Sequence, residues 1–240
     1  MLQFIPVKTR KFLPPRDSLE DLLSSLPKLK EGDVIFITSK VLAITQGRCV
    51  ETALVNKDKL IAKEADRIIK KPVIAAGSKI YLTIKDATLI PSAGIDESNG
   101  RGYYILWPKD TNAYLKKIRS RLVKKNKLKK LGVVATDSHT VPMRWGTIGT
   151  SIGFYGLEPL RDYRSTKDLF GRRLKYTQSN IVDALCAMAV LLMGEGREGT
   201  PLLIARDLNM VKFTNKNRYK SFIIDPKKDI YKELLKPFKK

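Results

Sequence analysis

Two stretches of this chain, Val34-Ile35-Phe36-Ile37 and Val133-Val134-Ala135, are apolar without interruption, and they restrict the fold more than any other feature. An alternating strand can leave one face in water, whereas a continuous apolar run must be covered on both sides. The segment Asn180–Met193 makes a similar demand as a helix. It is apolar nearly all round apart from Asp183, so it reads as a buried central helix whose methionines are core filler. Strands Asp33–Thr38 and Leu131–Ala135 packed with such a helix predict an α/β protein of mixed α+β character. The 240 residues, 43% hydrophobic, suffice for one large domain or two modest ones.

Weaker signals fill the intervals. Asp17 or Ser18 can cap a helix over Leu19–Leu26, behind a loop carrying Lys8 and Arg10. Leu60–Ile69 is amphipathic at helical spacing, and so is Thr111–Asn126, with Leu115, Ile118 and Leu122 inward. Strands are predicted at Lys79–Ile84, Ala87–Ile90, Gly102–Trp107 and Pro201–Ala205, with a tail helix at Asp229–Leu235. No apolar run approaches the roughly 20 residues needed to cross a bilayer. The first residues lack the pattern of a signal peptide, so the expected compartment is the cytoplasm. Cys49 and Cys186 stand far apart without a CxxC or a neighbouring histidine, which speaks against a disulfide framework or a zinc site.

Polar groups collect where the apolar strands end. The first delivers Thr38-Ser39-Lys40, a plausible phosphate seat, although it lacks the glycines of a Walker motif. The second delivers Thr136-Asp137-Ser138-His139, at the strand end where α/β proteins commonly place chemistry. Between them lies the loop Ile90–Asn99, which ends in Gly94-Ile95-Asp96-Glu97-Ser98-Asn99. Its oxygens are hard ligands of the kind that Mg2+ or Mn2+ takes, and its serine and asparagine can bond a phosphate or sugar. Asp96 and Asp137 can share one metal. His139, the only histidine, is a candidate general base on a turn, and Arg161 and Arg164 suit carboxylates or phosphates. Gly194 and Gly196 fit a helix end, which leaves Glu195 between them without a structural explanation.

The formal charge of +22 is local rather than general. Nine basic residues and no acid lie between Lys116 and Lys130, and ten more basic residues run from Lys212 to Lys240 against Asp225, Asp229 and Glu233. Such a face attracts polyanions, with RNA, a ribosomal surface or an acidic protein as candidate partners. Aromatic residues that would stack on bases are missing from the first cluster.

Together, Gly32-Asp33 with Thr38-Ser39-Lys40, Ala93–Asn99, Pro108-Lys109-Asp110, Thr136-Asp137-Ser138, the segment from Ile152-Gly153 to Asp162-Tyr163-Arg164, and Leu192-Met193-Gly194-Glu195 resemble the coenzyme F-420-0 gamma-glutamyl ligase family. The resemblance runs from Gly32 to about Leu208. It implies a two-domain ligase-like fold, an intertwined homodimer, and GTP-dependent addition of L-glutamate with two divalent metals, Mg2+ or Mn2+. Residues 1–208 would form the catalytic unit, split into 1–85 plus 175–240 and an inserted 86–174, with 209–240 as a basic segment docked on it. By position, Asp96, Asp137, Ser138 and Glu195 match metal ligands and Asn99 a nucleotide contact. Thr9, Arg10, Ser39, Lys40 and the segment Met193–Thr200, with Met193, Gly194, Glu195, Gly196 and Thr200, would line the GTP, or ATP. Lys40 and Arg144 would join Asp96 and Asp137 as catalytic residues.

The expected reaction activates an anionic carboxylate acceptor as an acyl phosphate, which the glutamate amine attacks. No covalent enzyme nucleophile is required, which agrees with the absence of a triad or a cysteine motif. This chain departs from the family around Ser138-His139-Thr140-Val141-Pro142-Met143-Arg144, where an arginine and an aromatic are lost, and at Ile44 and Ala184. The acceptor is therefore expected to be either F-420-0-like or a larger anionic species such as a glutamate-rich peptide or a ribosomal protein. The alternative is a basic RNA-docking protein that has lost catalysis.

Overall fold

The computed structural model describes residues 1–75 and 77–239. Its centre is a mixed five-stranded sheet, ordered β1 (Gln3–Val7), β14 (Leu202–Arg206), β2 (Asp33–Thr38), β10 (Leu131–Thr140) and β11 (Thr147–Tyr155). Only β2 and β10 run parallel, paired from Asp33↔Leu131 to Thr38↔Thr136.

Both faces of this sheet are covered. Ile35, Ile37, Val133 and Ala135 point to one side, where α1 (Leu19–Ser24), α2 (Ser39–Thr45) and α4 (Thr111–Asn126) supply Leu22, Leu42, Leu115 and Ile118. Val34, Phe36 and Val134 point to the other, onto Val182, Cys186 and Ala189 of α5 (Ile181–Met193). This two-sided burial is what the unbroken apolar runs demanded. Asp33, buried where β2 begins, accepts hydrogen bonds from Arg206 at 2.8 and 3.1 Å and from the Lys30 N–H at 2.8 Å.

Between α2 and α4 lies a region of short strands. It holds β3 (Cys49–Glu51) paired with β9 (Tyr103–Ile105), the sheet of β4 (Arg67–Ile68), β7 (Leu82–Lys85) and β8 (Thr88–Pro91), and the hairpin of β5 (Val73–Ala75) and β6 (Ser78–Ile80). Their small core gathers Leu60 and Ile61 of α3 (Lys57–Glu64) with Ala93, Ile95 and Tyr104. The pair β12 (Leu160–Asp162) and β13 (Gln178–Asn180) frames an exposed excursion. In the tail, α6 (Tyr219–Phe222) and α7 (Lys232–Leu235) are single turns. Phe222 meets Phe154 edge-on, and Lys239 pairs with Ile68.

Several expectations change. The helix expected over Leu60–Ile69 stops at Glu64, because Ile68 is drawn into pairing with Thr83 of β7 and with Lys239. The strand expected over Lys79–Ile84 breaks at Tyr81, and the tail helix shrinks to Lys232–Leu235. Strand β10 runs on to Thr140, so Asp137, Ser138 and His139 are strand residues rather than a turn. The α5 helix is buried on one face only, with Met188, Leu191 and Leu192 exposed. Strands β10 and β11, inside the span 86–174, belong to the central sheet, where β10 pairs with β2 and β11 pairs with β10.

Close approach of α5 to β11 depends on Gly149. A Cβ there would stand 2.4 Å from the Cys186 carbonyl oxygen and 2.7 Å from the Val190 Cβ, whereas at Gly196 the nearest atom would be 3.4 Å away. Gly149→Ala is therefore expected to cost about 1–3 kcal/mol in denaturant or thermal unfolding. Gly196→Ala should stay within about 0.5 kcal/mol of the parent protein.

Candidate functional site

The parallel register of β2 and β10 sets Thr38 beside Thr136, so the residues that follow each strand leave the sheet at the same end. On one side α2 starts at once with Ser39 and Lys40. On the other, β10 continues into Asp137 and Ser138 just past a bulge between Ala135 and Thr136, where Ile152 is the extra residue of β11. Bulges change the direction in which the following side chains project.

The loop after β8 reaches this place from the small-strand region. Ser92, Ala93 and Gly94 all adopt positive φ in a tight 3-10 turn. Gly94 also lies against the Trp107 ring, where a Cβ would approach within 2.2 Å, so only glycine fits. Thr83 braces the turn from below, its hydroxyl donating to the Ile90 carbonyl and accepting from the Ala93 N–H at 2.8 Å. Asp96 is then held by a two-way backbone bridge to Ile105, at 3.0 and 2.8 Å.

From that position Asp96 meets Lys40. The ammonium lies 2.6 Å from Asp96 Oδ2 and donates to the Ser98 carbonyl and hydroxyl, both at 2.9 Å. Burial pushes the Asp96 carboxyl up, but Lys40 and the Ser98 N–H and hydroxyl outweigh it and hold the carboxyl below its ordinary range. Glu97 turns away to Lys57 at 3.2 Å, which assigns it a structural partner.

Asp137 behaves in the opposite way. Burial raises its carboxyl to about 6, against the Ser138 N–H and the neighbouring Ser39 side chain, with the charge of Asp96 adding to the rise and Lys40 opposing it. A carboxyl whose ionisation is made costly by burial and by a second carboxylate is a setting that a bound cation relieves. Ser138 donates to Glu195 Oε2 at 3.3 Å, and Thr147 to Oε1 at 3.4 Å.

These groups line one cleft of about 780 Å³. Of the residues singled out in the sequence, it includes Thr9, Arg10, Ser39, Lys40, Asp96, Asn99, Asp137 and Ser138, with Met193, Gly194, Glu195, Gly196 and Thr200 along the loop after α5. Thr9 is tied to that loop by its N–H to the Gly199 carbonyl at 2.9 Å. The Arg10 guanidinium is engaged elsewhere, bonded to Asp17 and Asp21.

Arg144, Arg161 and Arg164 do not line the cleft: Arg144 sits on the exposed β10–β11 hairpin, Arg161 stacks over Tyr163, and Arg164 pairs with Asp162. His139 also lies outside it, half-buried, with burial holding its pKa down. Among the described residues no three carboxylate, thiol or imidazole groups form a ready metal cluster, because Lys40 occupies one side of Asp96 and Ser138 and Thr147 hold Glu195. Asp96, Asp137, Ser138 and Glu195 nevertheless offer the all-oxygen donor set that Mg2+ or Mn2+ prefers.

Arg101 escaped sequence reasoning, although it lies between two glycines directly after Asn99. It faces the cleft together with Arg197 of the loop after α5, and neither has an ion-pair partner among the described residues. Burial raises the pKa of both Cys49 and Cys186, so neither is a reactive thiol at neutral pH.

The family model for F420-0:gamma-glutamyl ligase matches residues 8–207. A coenzyme F420:L-glutamate ligase of Methanopyrus kandleri is 30% identical, over 96% of this chain and 98% of the relative. Those of Archaeoglobus fulgidus and Methanocaldococcus jannaschii are 31% and 33% identical, over 87% and 84% of this chain and 89% and 85% of theirs.

The folded chain keeps the Asp137 proton up to a pH of about 6, whereas an unfolded aspartate releases it near 4, so this group lowers stability as pH rises through that window. Asp137→Asn should therefore stabilise the metal-free protein at pH 8 by up to about 3 kcal/mol. The gain should vanish at pH 4, as read from paired thermal unfolding curves.

Proposed function

Because this chain belongs to the F420-0:gamma-glutamyl ligase family, we propose that it joins L-glutamate to an F420-type carboxylate acceptor at the expense of GTP or ATP. The observation that carries this reading is the convergence of Lys40, Asp96, Asp137 and Ser138, with Arg101 and Arg197, on one cleft.

A carboxylate and an amine do not condense at neutral pH without activation. The γ-phosphoryl group passes to an acceptor carboxylate oxygen, giving an acyl phosphate and the nucleoside diphosphate. The glutamate nitrogen then attacks the acyl carbon, the C–N bond forms, the C–O bond to phosphate breaks, and a proton leaves the nitrogen. Lys40, Arg101 and Arg197 bind and orient the phosphates, and Ser39 and Asn99 contact the nucleotide. Asp96, Asp137, Ser138 and Glu195 would hold Mg2+ or Mn2+. When bound, such a cation neutralises charge on the transferring phosphoryl group. In its absence Lys40 balances the charge of Asp96, and burial disfavours the charge on Asp137. The comparisons favour the F420-type acceptor over a peptide or ribosomal protein.

The working form is proposed to be a homodimer. Support comes from apolar side chains left in water, with Leu191 76% exposed on α5 and Trp145 fully exposed on the β10–β11 hairpin. A second copy would cover them, and its hairpin would be the route by which Arg144 reaches a cleft.

Nucleoside diphosphate release should require nucleotide, magnesium, glutamate and an F420-0-type acceptor together. Asp96→Asn or Asp137→Asn should lower kcat by about 100-fold or more, the scale of loss for removing a group that stabilises transition-state charge. Full turnover in both variants would overturn the site assignment. Sedimentation should show a dimer that Leu191→Glu converts to monomer, and a monomeric parent protein would remove the dimer proposal.

A further inference from the structure

The two basic clusters, some ninety residues apart in the chain, meet at one end of the fold. Helix α4 buries Leu115, Ile118 and Leu122 against the central sheet and turns Lys116, Lys117, Lys124 and Lys125 to solvent. Just beyond its end come exposed Lys127, Lys129 and Lys130. The loop before β2 joins them, with the Gly32 N–H bonded to the Lys130 carbonyl at 2.9 Å, which brings the exposed Lys28 and Lys30 alongside. The tail joins through Arg119, which is buried and donates to Asn215 at 2.8 Å, next to exposed Lys216.

The neighbouring acids do little to offset this charge. Glu20 pairs with Arg121, and Glu31 accepts the backbone N–H groups of Lys129 and Lys130, leaving the ammonium groups on this face unpaired among the described residues. Arg121, at the surface, and Arg119, in the interior, are the two members of the first cluster already engaged by partners within the chain.

The character of the face selects among polyanions. The exposed positions 116, 117, 120, 121, 124 and 125 of α4 carry no apolar side chain, so nothing is available to enter a lipid surface, and the apolar stripe that might do so is in the core. Aromatic platforms for unstacked bases are absent from the same positions. Lysine predominates over the arginine, asparagine and glutamine that read base edges in a DNA major groove, so base-specific DNA readout is not what this face offers. What remains is contact with the phosphates of a regular duplex by shape and charge, the mode open on A-form RNA, whose major groove side chains cannot read. The helix, ~24 Å long, can face several successive phosphates.

We infer that this lysine face is a docking surface for double-helical RNA, separate from the ligase cleft and sequence-independent. The test measures anisotropy of a labelled mixed-sequence RNA duplex with the full chain across a salt series, beside a DNA duplex, single-stranded RNA and anionic vesicles. The RNA duplex should bind tightest, with affinity falling steeply and linearly in log salt. Lys125→Gln/Lys129→Gln/Lys130→Gln should weaken binding about 10-fold or more and make the salt slope shallower by about 3, one unit for each lost phosphate contact. It should leave glutamate ligation unchanged. The matched control Lys63→Gln/Lys70→Gln/Lys71→Gln removes the same net charge from the small-strand region. An equal loss in that control would show that net charge alone acts and would overturn the assignment, as would equal or tighter binding of any of the other three polyanions.

Discussion

The parallel pairing of β2 with β10 has consequences out of proportion to its length. Its register puts Thr38 beside Thr136, so the start of α2 and the continuation of β10 emerge together and Lys40 and Asp137 become neighbours. A slip of one residue would reverse which side chains face the α1/α2/α4 layer and which face α5. Because both faces are dry, with Ile35 and Ile37 on one and Val34 and Phe36 on the other, such a slip would leave the faces mismatched to their helices. The packing that protects the register therefore also protects the cleft.

Charge completes what the register begins. Asp96 arrives on a loop braced by Thr83 and Gly94 and is neutralised by Lys40, whereas Asp137 lacks an equally close cation and is held partly protonated. Two carboxyls of the same type thus occupy opposite electrostatic conditions within one cleft. The difference comes from their surroundings, burial with a bonded ammonium for one and burial without it for the other. Arg10 shows the converse. It lies on the cleft wall, yet Asp17 and Asp21 have taken its guanidinium, leaving Arg101 and Arg197 as the uncommitted guanidiniums there.

The sequence made the dry strands readable, since an apolar run such as Val34–Ile37 has one physical solution, burial on both faces. It also made the oxygen-rich segments readable as ligand candidates, because Asp96, Asp137 and Glu195 each follow an apolar element without a structural reason of their own. Ranges that depended on local pattern alone were less secure. Leu60–Ile69 has helical periodicity, but pairing of Ile68 with β7 and the tail ended the helix at Glu64. The α5 run is apolar nearly all round, yet only one face meets the sheet, because periodicity reports composition and not how many neighbours arrive.

By itself, then, the sequence determined which strands are buried, that α4 carries its charge outward, and which oxygen-rich segments are candidates for a ligand site, since these follow from the side chains and their spacing. Only the tertiary structure decided which charges remain free. Arg10 is consumed and Arg101 is not; Lys40 reaches Asp96 from 56 positions away in the chain; and the tail's Lys216 joins the lysines of α4 through Arg119 and Asn215. Each is a contact between distant segments, and local pattern contains no term for the partner a side chain meets after the chain has folded.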